Sequence, residues 1–75
     1  MPIRYLKKHA ALEGRIAAED AEGLQQWLRA QARPAVALDK CEQVHAAVLQ
    51  VLLALRPALQ GRPTDPWLAA ALGLR

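Results

Sequence analysis

Apolar and polar positions alternate at the start of the chain. In residues 2–6, Ile3 and Tyr5 stand against Arg4, the period of a short half-buried strand. Residues 7–9, Lys-Lys-His, read as a polar turn. Residues 10–16 return to a two-residue period, with Leu12, Gly14 and Ile16 on one face. The two runs predict an antiparallel hairpin, and Gly14 within the second predicts a bulge or a close backbone approach. The period then changes. Over residues 17–32, Ala21, Leu24, Leu28 and Gln31 or Ala32 fall at helical spacing. Acids gather at the start of this helix (Glu19, Asp20, Glu22) and arginines at its end (Arg29, Arg33), both suited to the helix dipole. Gly23 costs about 1 kcal/mol against alanine unless a neighbour needs the space. Arg33-Pro34 ends the helix, because the residue before proline avoids helical angles.

The second half begins with Ala-Val-Ala-Leu-Asp at 35–39, a short run suited to a buried central strand. Residues 40–43 read as a loop. Residues 44–59 form a helix that is apolar nearly all round, the mark of burial on more than one side, and Pro57 kinks or ends it. Residues 60–63 are a turn. Residues 64–73 predict a short helix with Asp65 as N-cap, Pro66 at its first position and Gly73 past its end. The order is β-β-α-β-α-α. It predicts an α/β fold, a small mixed sheet with helices packed on it, in which strand, helix and strand make a right-handed parallel crossover.

Composition narrows the class. A chain of 75 residues is one domain spanning 1–75. It buries only about 60% of its unfolded surface and would gain from a partner or a second copy, so a homodimer is among the expectations. The hydrophobic share of 53% argues against disorder. The formal charge is +3, but the basic residues are scattered and no basic cluster interleaves with stacking aromatics, so no nucleic-acid partner is expected. The start of the chain lacks the apolar core of a signal peptide, and the longest apolar run, Ala46 to Leu55, is too short to span a bilayer. One cysteine admits no internal disulfide and fits a reducing cytoplasm. The chain has no serine, and its only threonine is Thr64. Serine-nucleophile chemistry and switching by serine phosphorylation are thereby excluded.

Candidate chemistry concentrates in Asp39-Lys40-Cys41-Glu42-Gln43-Val44-His45. Cys41 and His45 are four apart and could share a helix face, with Asp39, Glu42 or His9 adding a metal ligand. A structural zinc site needs four ligands, usually from paired motifs, and here there is one Cys-x3-His and no second pair. The same two residues could make a thiolate nucleophile with its base. Against both stand a packed cysteine and a capping histidine. Two alternative functions follow: a small Cys/His-dependent metal or thiol enzyme, and a small basic DNA-binding or antitoxin-like protein.

The chain also resembles a STAS domain, the fold of bacterial anti-sigma-factor antagonists. "LEGRI" (12–16) resembles the glycine-bearing strand before the family's first helix, and "AEGLQQWL" (21–28) resembles that helix. "VALD" (36–39) resembles the central strand. "VHAAVLQVLLAL" (44–55) resembles the leucine-rich helix whose start carries the regulatory hydroxyl residue. "GRPTDPWLAAALGL" (61–74) resembles a trimmed C-terminal helix. The resemblance covers nearly the whole chain. It implies a non-catalytic regulatory or adaptor module of bacterial signalling, cytoplasmic, without a cofactor or metal. Its partner would be a kinase, an anti-sigma factor or a related signalling or transport subunit. The implied contact residues are Lys40, Cys41, Glu42, His45, Ala46 and Gln50, around the turn from strand to helix. Aligned on Val44, His45 replaces the family's aspartate and Ala46 its hydroxyl residue, so the scaffold would be kept without the phosphorylation switch.

Overall fold

A computed structural model describes residues 3–74; Pro2, which opens the first predicted strand, lies outside them. Four strands form one mixed sheet in the order β1-β2-β3-β4. β1 (Ile3–Tyr5) runs antiparallel to β2 (Ala10–Ile16), with Ile3 opposite Leu12 and Tyr5 opposite Ala10. Lys7 and Lys8 form the tip of this hairpin, which the Leu6 N–H closes by donating to the His9 carbonyl at 2.9 Å. β2 is parallel to β3 (Ala35–Val44), and β3 is parallel to β4 (Ala58–Gln60). Helices α1 (Ala21–Ala30) and α2 (Ala46–Leu55) make the crossovers, and α3 (Pro66–Ala71) follows β4. The α/β class and the order of the predicted elements are those of the sequence reading, with one strand added.

That added strand, β4, takes the last two residues of the stretch predicted as a single helix over 44–59 and the first of the predicted turn. The helix stops earlier. Arg56 turns into the left-handed region at φ 49°, its N–H donating to the Leu52 carbonyl at 3.0 Å. Pro57 cannot extend a helix. The chain then pairs with β3, the Ala58 N–H donating to the Pro34 carbonyl at 2.9 Å. A three-residue strand shows no period of its own.

β3 corrects a second boundary. Residues 40–43, predicted as a loop, continue the strand through two register shifts against β2. From the pair Ala11–Ala37 to the pair Glu13–Lys40, β2 advances two residues and β3 three. From Gly14–Cys41 to Arg15–Gln43, β2 advances one and β3 two. Asp39 and Glu42 are the extra residues, both exposed. Each shift moves the inward set by one, so Leu38, Cys41 and Val44 succeed one another at intervals of three along the core face. Gly14 sits at the second shift with φ 71°, a conformation that side chains disfavour, as the bulge expectation required.

The helix ends show their sequence signals. α1 is preceded by one 3-10 turn, Ala18–Asp20, whose Asp20 carboxylate accepts the Ala17 N–H at 3.0 Å. Asp65 caps α3 by accepting the Trp67 N–H at 2.9 Å, and Pro66 follows as first residue. At its far end the Leu74 N–H reaches the Ala69 carbonyl and the Gly73 N–H the Ala70 carbonyl, with Gly73 at φ 79°, the paired bonds of a glycine-terminated helix.

All three helices feed one core. Leu24 and Leu28 of α1, Val48 and Leu52 of α2 and Leu68 of α3 join Ile3, Leu12, Ile16, Val36, Leu38 and Cys41 of the sheet in one buried cluster. Each fully buried aliphatic side chain contributes about 1.5–3 kcal/mol. The opposite sheet face carries Arg4, Ala11, Glu13, Ala37 and Lys40, none of them in that cluster. On it the Arg4 guanidinium meets the Glu13 carboxylate at 3.4 Å. At the sheet edge the Tyr5 ring packs on Trp27 of α1, centroids 5.6 Å apart. No helix among the described residues is long and apolar enough to cross a membrane.

Candidate functional site

The stretch from Asp39 to His45 is the distal half of the central strand β3, and only His45 stands between strand and helix. His45 joins three elements. Its backbone N–H donates to the Ile16 carbonyl at the end of β2, at 2.8 Å. Its Nδ1 accepts the Ala47 N–H at 3.1 Å, making it the N-cap of α2. Its carbonyl accepts from the Val48 and Leu49 N–H groups of that helix. The imidazole is exposed, so its free edge faces solvent at the carboxyl ends of two parallel strands.

Beyond His45, Ala46 and Gln50 are exposed and one helical turn apart, and Leu53 continues the same side at 46% exposure. These residues make a stripe along α2 that starts at the strand ends. A shallow cleft of about 250 Å³ lies at its head, between Arg15, Ile16, Ala17 and Ala18 on one side and Gln43, Val44 and His45 on the other. A smaller cleft of about 90 Å³ between Val44, Leu49 and Leu68 is bordered by Trp67, which is 74% exposed. Arg15, Gln43, Leu53 and Trp67 are therefore neighbours of the predicted contact set that sequence reasoning did not include. Trp67, a large aromatic at the first turn of a short helix, carried the strongest available signal.

The predicted contact residues divide into two groups. His45, Ala46 and Gln50 are brought together on one exposed surface. Lys40 and Glu42 are exposed too, but they belong to the bulged strand: Lys40 lies beside Glu13, and Glu42 is the extra residue opposite Gly14. Cys41 is fully buried and has no surface to offer a partner. It faces the core between Leu38 and Val44. Burial pushes its thiol up to about 11; the N–H of Gln43 opposes that rise and the nearby Glu42 carboxylate adds to it.

That arrangement bears on chemistry. A nucleophilic cysteine needs a lowered pKa and access to substrate. Cys41 has neither, and no hydrogen bond joins it to His45, whose Nδ1 is occupied by the helix cap. Among the described residues there is also no group of three or more His, Cys, Asp or Glu placed to hold a metal ion. What the surface offers is a rigid framework carrying an imidazole edge, an amide, a small residue and two exposed apolar side chains. Such sets recognise other macromolecules by shape and hydrogen bonding.

No family model, curated protein or solved structure matches this chain.

Proposed function

We infer that the protein is a non-catalytic, STAS-like regulatory or adaptor module that acts by protein–protein contact in bacterial signalling. The observation that carries this reading is the exposed group His45, Ala46 and Gln50 at the head of α2, held against the ends of β2 and β3 by the bonds of His45. The sheet order, with the first strand antiparallel and the others parallel, supports the resemblance on which the family reading rests. The setting is the cytoplasm, and the partner is a kinase, an anti-sigma factor or a related signalling or transport subunit. Ala46 stands where the family places its hydroxyl residue, so the domain binds without a phosphorylation switch of its own. Arg15, Gln43 and Trp67 widen the contact surface.

The test is affinity capture from the native cytoplasm with tagged protein, and with Lys40→Glu/His45→Glu and Ala46→Glu variants beside it. A signalling or transport component retained by the parent and lost in both variants supports the reading. Ala46→Glu places an acidic group where phosphate sits in the family, so loss there ties binding to the head of α2. A partner indifferent to all three changes would remove this surface from consideration.

A further inference from the structure

β4 borders β3 on one side and, among the described residues, has no strand on the other. In a parallel ladder, successive residues address opposite neighbours. The Ala58 N–H is turned to Pro34 and β3, so the N–H and C=O of Leu59 point to the free edge. The Leu59 side chain, on the helix-covered face, lines a cleft of about 430 Å³ beside that edge. Its other walls are Leu52 and Leu53 of α2, Pro57 and Leu72, with Arg56 at the rim. Edges are commonly blunted by charge, proline, a bulge or extreme shortness; Ala58–Gln60 carries no charge, proline or bulge, and its three residues confine the pairing to Leu59. The cleft is therefore continuous with an unpaired donor and acceptor, the two things an added strand needs.

Charge says what kind of strand. Arg56 precedes β4 and Arg62 follows it, both exposed, and neither makes an ion pair among the described residues. The chain has no Asp or Glu from Gln43 through Thr64. Asp39 approaches this region, but from β3, where its carboxylate lies against Gly61. A second copy of β4 fits poorly: in an antiparallel pair centred on Leu59, Arg56 of one copy would face Arg62 of the other, and like charges directly opposite are unfavourable.

We propose that the free edge of β4 and the adjoining cleft take an extended segment of a partner protein, apolar at its centre and acidic at both ends, added as a fifth strand. Backbone bonds to Leu59 supply the pairing, an apolar side chain enters the cleft, and the two arginines select the flanking acids. This surface is on the opposite side of β3 from β2 and does not depend on the adaptor reading.

The probe is a fluorescein-labelled heptapeptide with three central valines and two glutamates at each end, titrated with the full chain and read by fluorescence anisotropy. A second probe carries lysines for the glutamates, and a third is N-methylated at the central amides. Saturable binding of the glutamate probe, about tenfold tighter than either alternative, is the expected result. In Arg56→Glu/Arg62→Glu the preference should invert toward the lysine probe; Arg62→Glu alone, in an exposed loop, should reduce it if the double variant fails to fold. Equal binding of the two charged probes, indifference to N-methylation, no binding, or a chain that dimerises through β4 and so hides the edge would each overturn the proposal.

Discussion

Thr64 bonds twice to one atom of Cys41: its backbone N–H, at 3.1 Å, and its hydroxyl, at 3.3 Å, both donate to the Cys41 carbonyl. β4 ends at Gln60, opposite Ala37, so further along β3 the outer side of the strand has no ladder partner. Thr64 supplies one, and it fixes the segment that leads into α3. Thr64→Val keeps the shape and the backbone bond but removes the hydroxyl. It should cost about 0.5–1.5 kcal/mol, a loss of about 4–8 °C in Tm per kcal/mol for a domain this size. Thermal denaturation followed by circular dichroism measures it.

Gly61 and Asp39 form a second tie between the same two regions. Gly61 has φ 73°, and a Cβ placed there would run into the Asp39 carboxylate. Gly61→Ala therefore meets both an unfavourable backbone region and a filled space, and should destabilise by about 1–3 kcal/mol. Adding Asp39→Ala removes the collision and leaves the backbone cost. A double-mutant cycle by urea denaturation should show recovery of part of the loss; strict additivity would mean that the carboxylate is not in contact.

Gly23 stands in the opposite situation. Its φ is not in the left-handed region, and a Cβ there would meet only the Tyr5 hydroxyl, at 3.5 Å, an ordinary contact. Gly23→Ala should raise stability by about 0.5–1 kcal/mol through helix propensity, seen as a higher urea midpoint.

His45 gives a prediction that separates folding from binding. His45→Ala removes the Nδ1 acceptor from the Ala47 N–H and should cost about 1 kcal/mol, while the backbone bond to Ile16 survives. His45→Asp restores an acceptor and adds a negative charge at the helix start, so it should match or exceed the parent in Tm. If the imidazole edge also touches a partner, His45→Asp will be stable and still fail to capture it.

Cys41 makes stability fall at alkaline pH. Its thiol ionises near 9.0 in the ordinary case and at about 11 in the folded protein, because burial disfavours the thiolate. The unfolded chain thus releases its proton first. The stability this group confers is complete below about pH 9 and is lost as pH rises through about 11, at up to about 1.4 kcal/mol per pH unit. Urea midpoints between these limits, with Cys41→Ala as reference, should diverge by that slope. Labelling by a thiol reagent at neutral pH should be slow and should follow unfolding.

Most of the fold could be read before the structure, and each miss has a physical cause. The hairpin and α1 announce themselves by a change of period from two to nearly four, and α3 by Asp65, Pro66 and Gly73 placed as caps. The second half of β3 hid because two bulges break the alternation: inward Leu38, Cys41 and Val44 at intervals of three resemble neither a strand nor a helix. β4 hid because its Ala58 and Leu59 continue the apolar run of the helix before them, so only Pro57 marked the boundary. His45, Ala46 and Gln50 were named because they fringe the turn and the long helix, and their common exposure follows from that placement. Cys41 was drawn in by nearness in sequence, although a bulge turns it inward. Trp67, exposed on a short helix with little polar cover, suggested an interface by itself but was not joined to the set around His45, because its neighbours Val44 and Leu49 lie far from it along the chain.

The paired bulges of β3 also set which length changes this strand can bear. Each bulge absorbs one extra residue while β2 keeps its alternation, so the residues after it still face as their β2 partners do. Leu38, Cys41 and Val44 therefore all face the core although an extra residue lies in each interval between them. Deleting Asp39 or Glu42 alone would erase one bulge, restore plain alternation at that point and leave Val44 opposite Ile16 on the core face. Deleting both would leave the faces in place and shorten the strand by two residues. Deletion of either extra residue should therefore be mild, whereas deleting one residue from the uninterrupted alternation of β2 between Leu12 and Ile16 should act as a severe lesion.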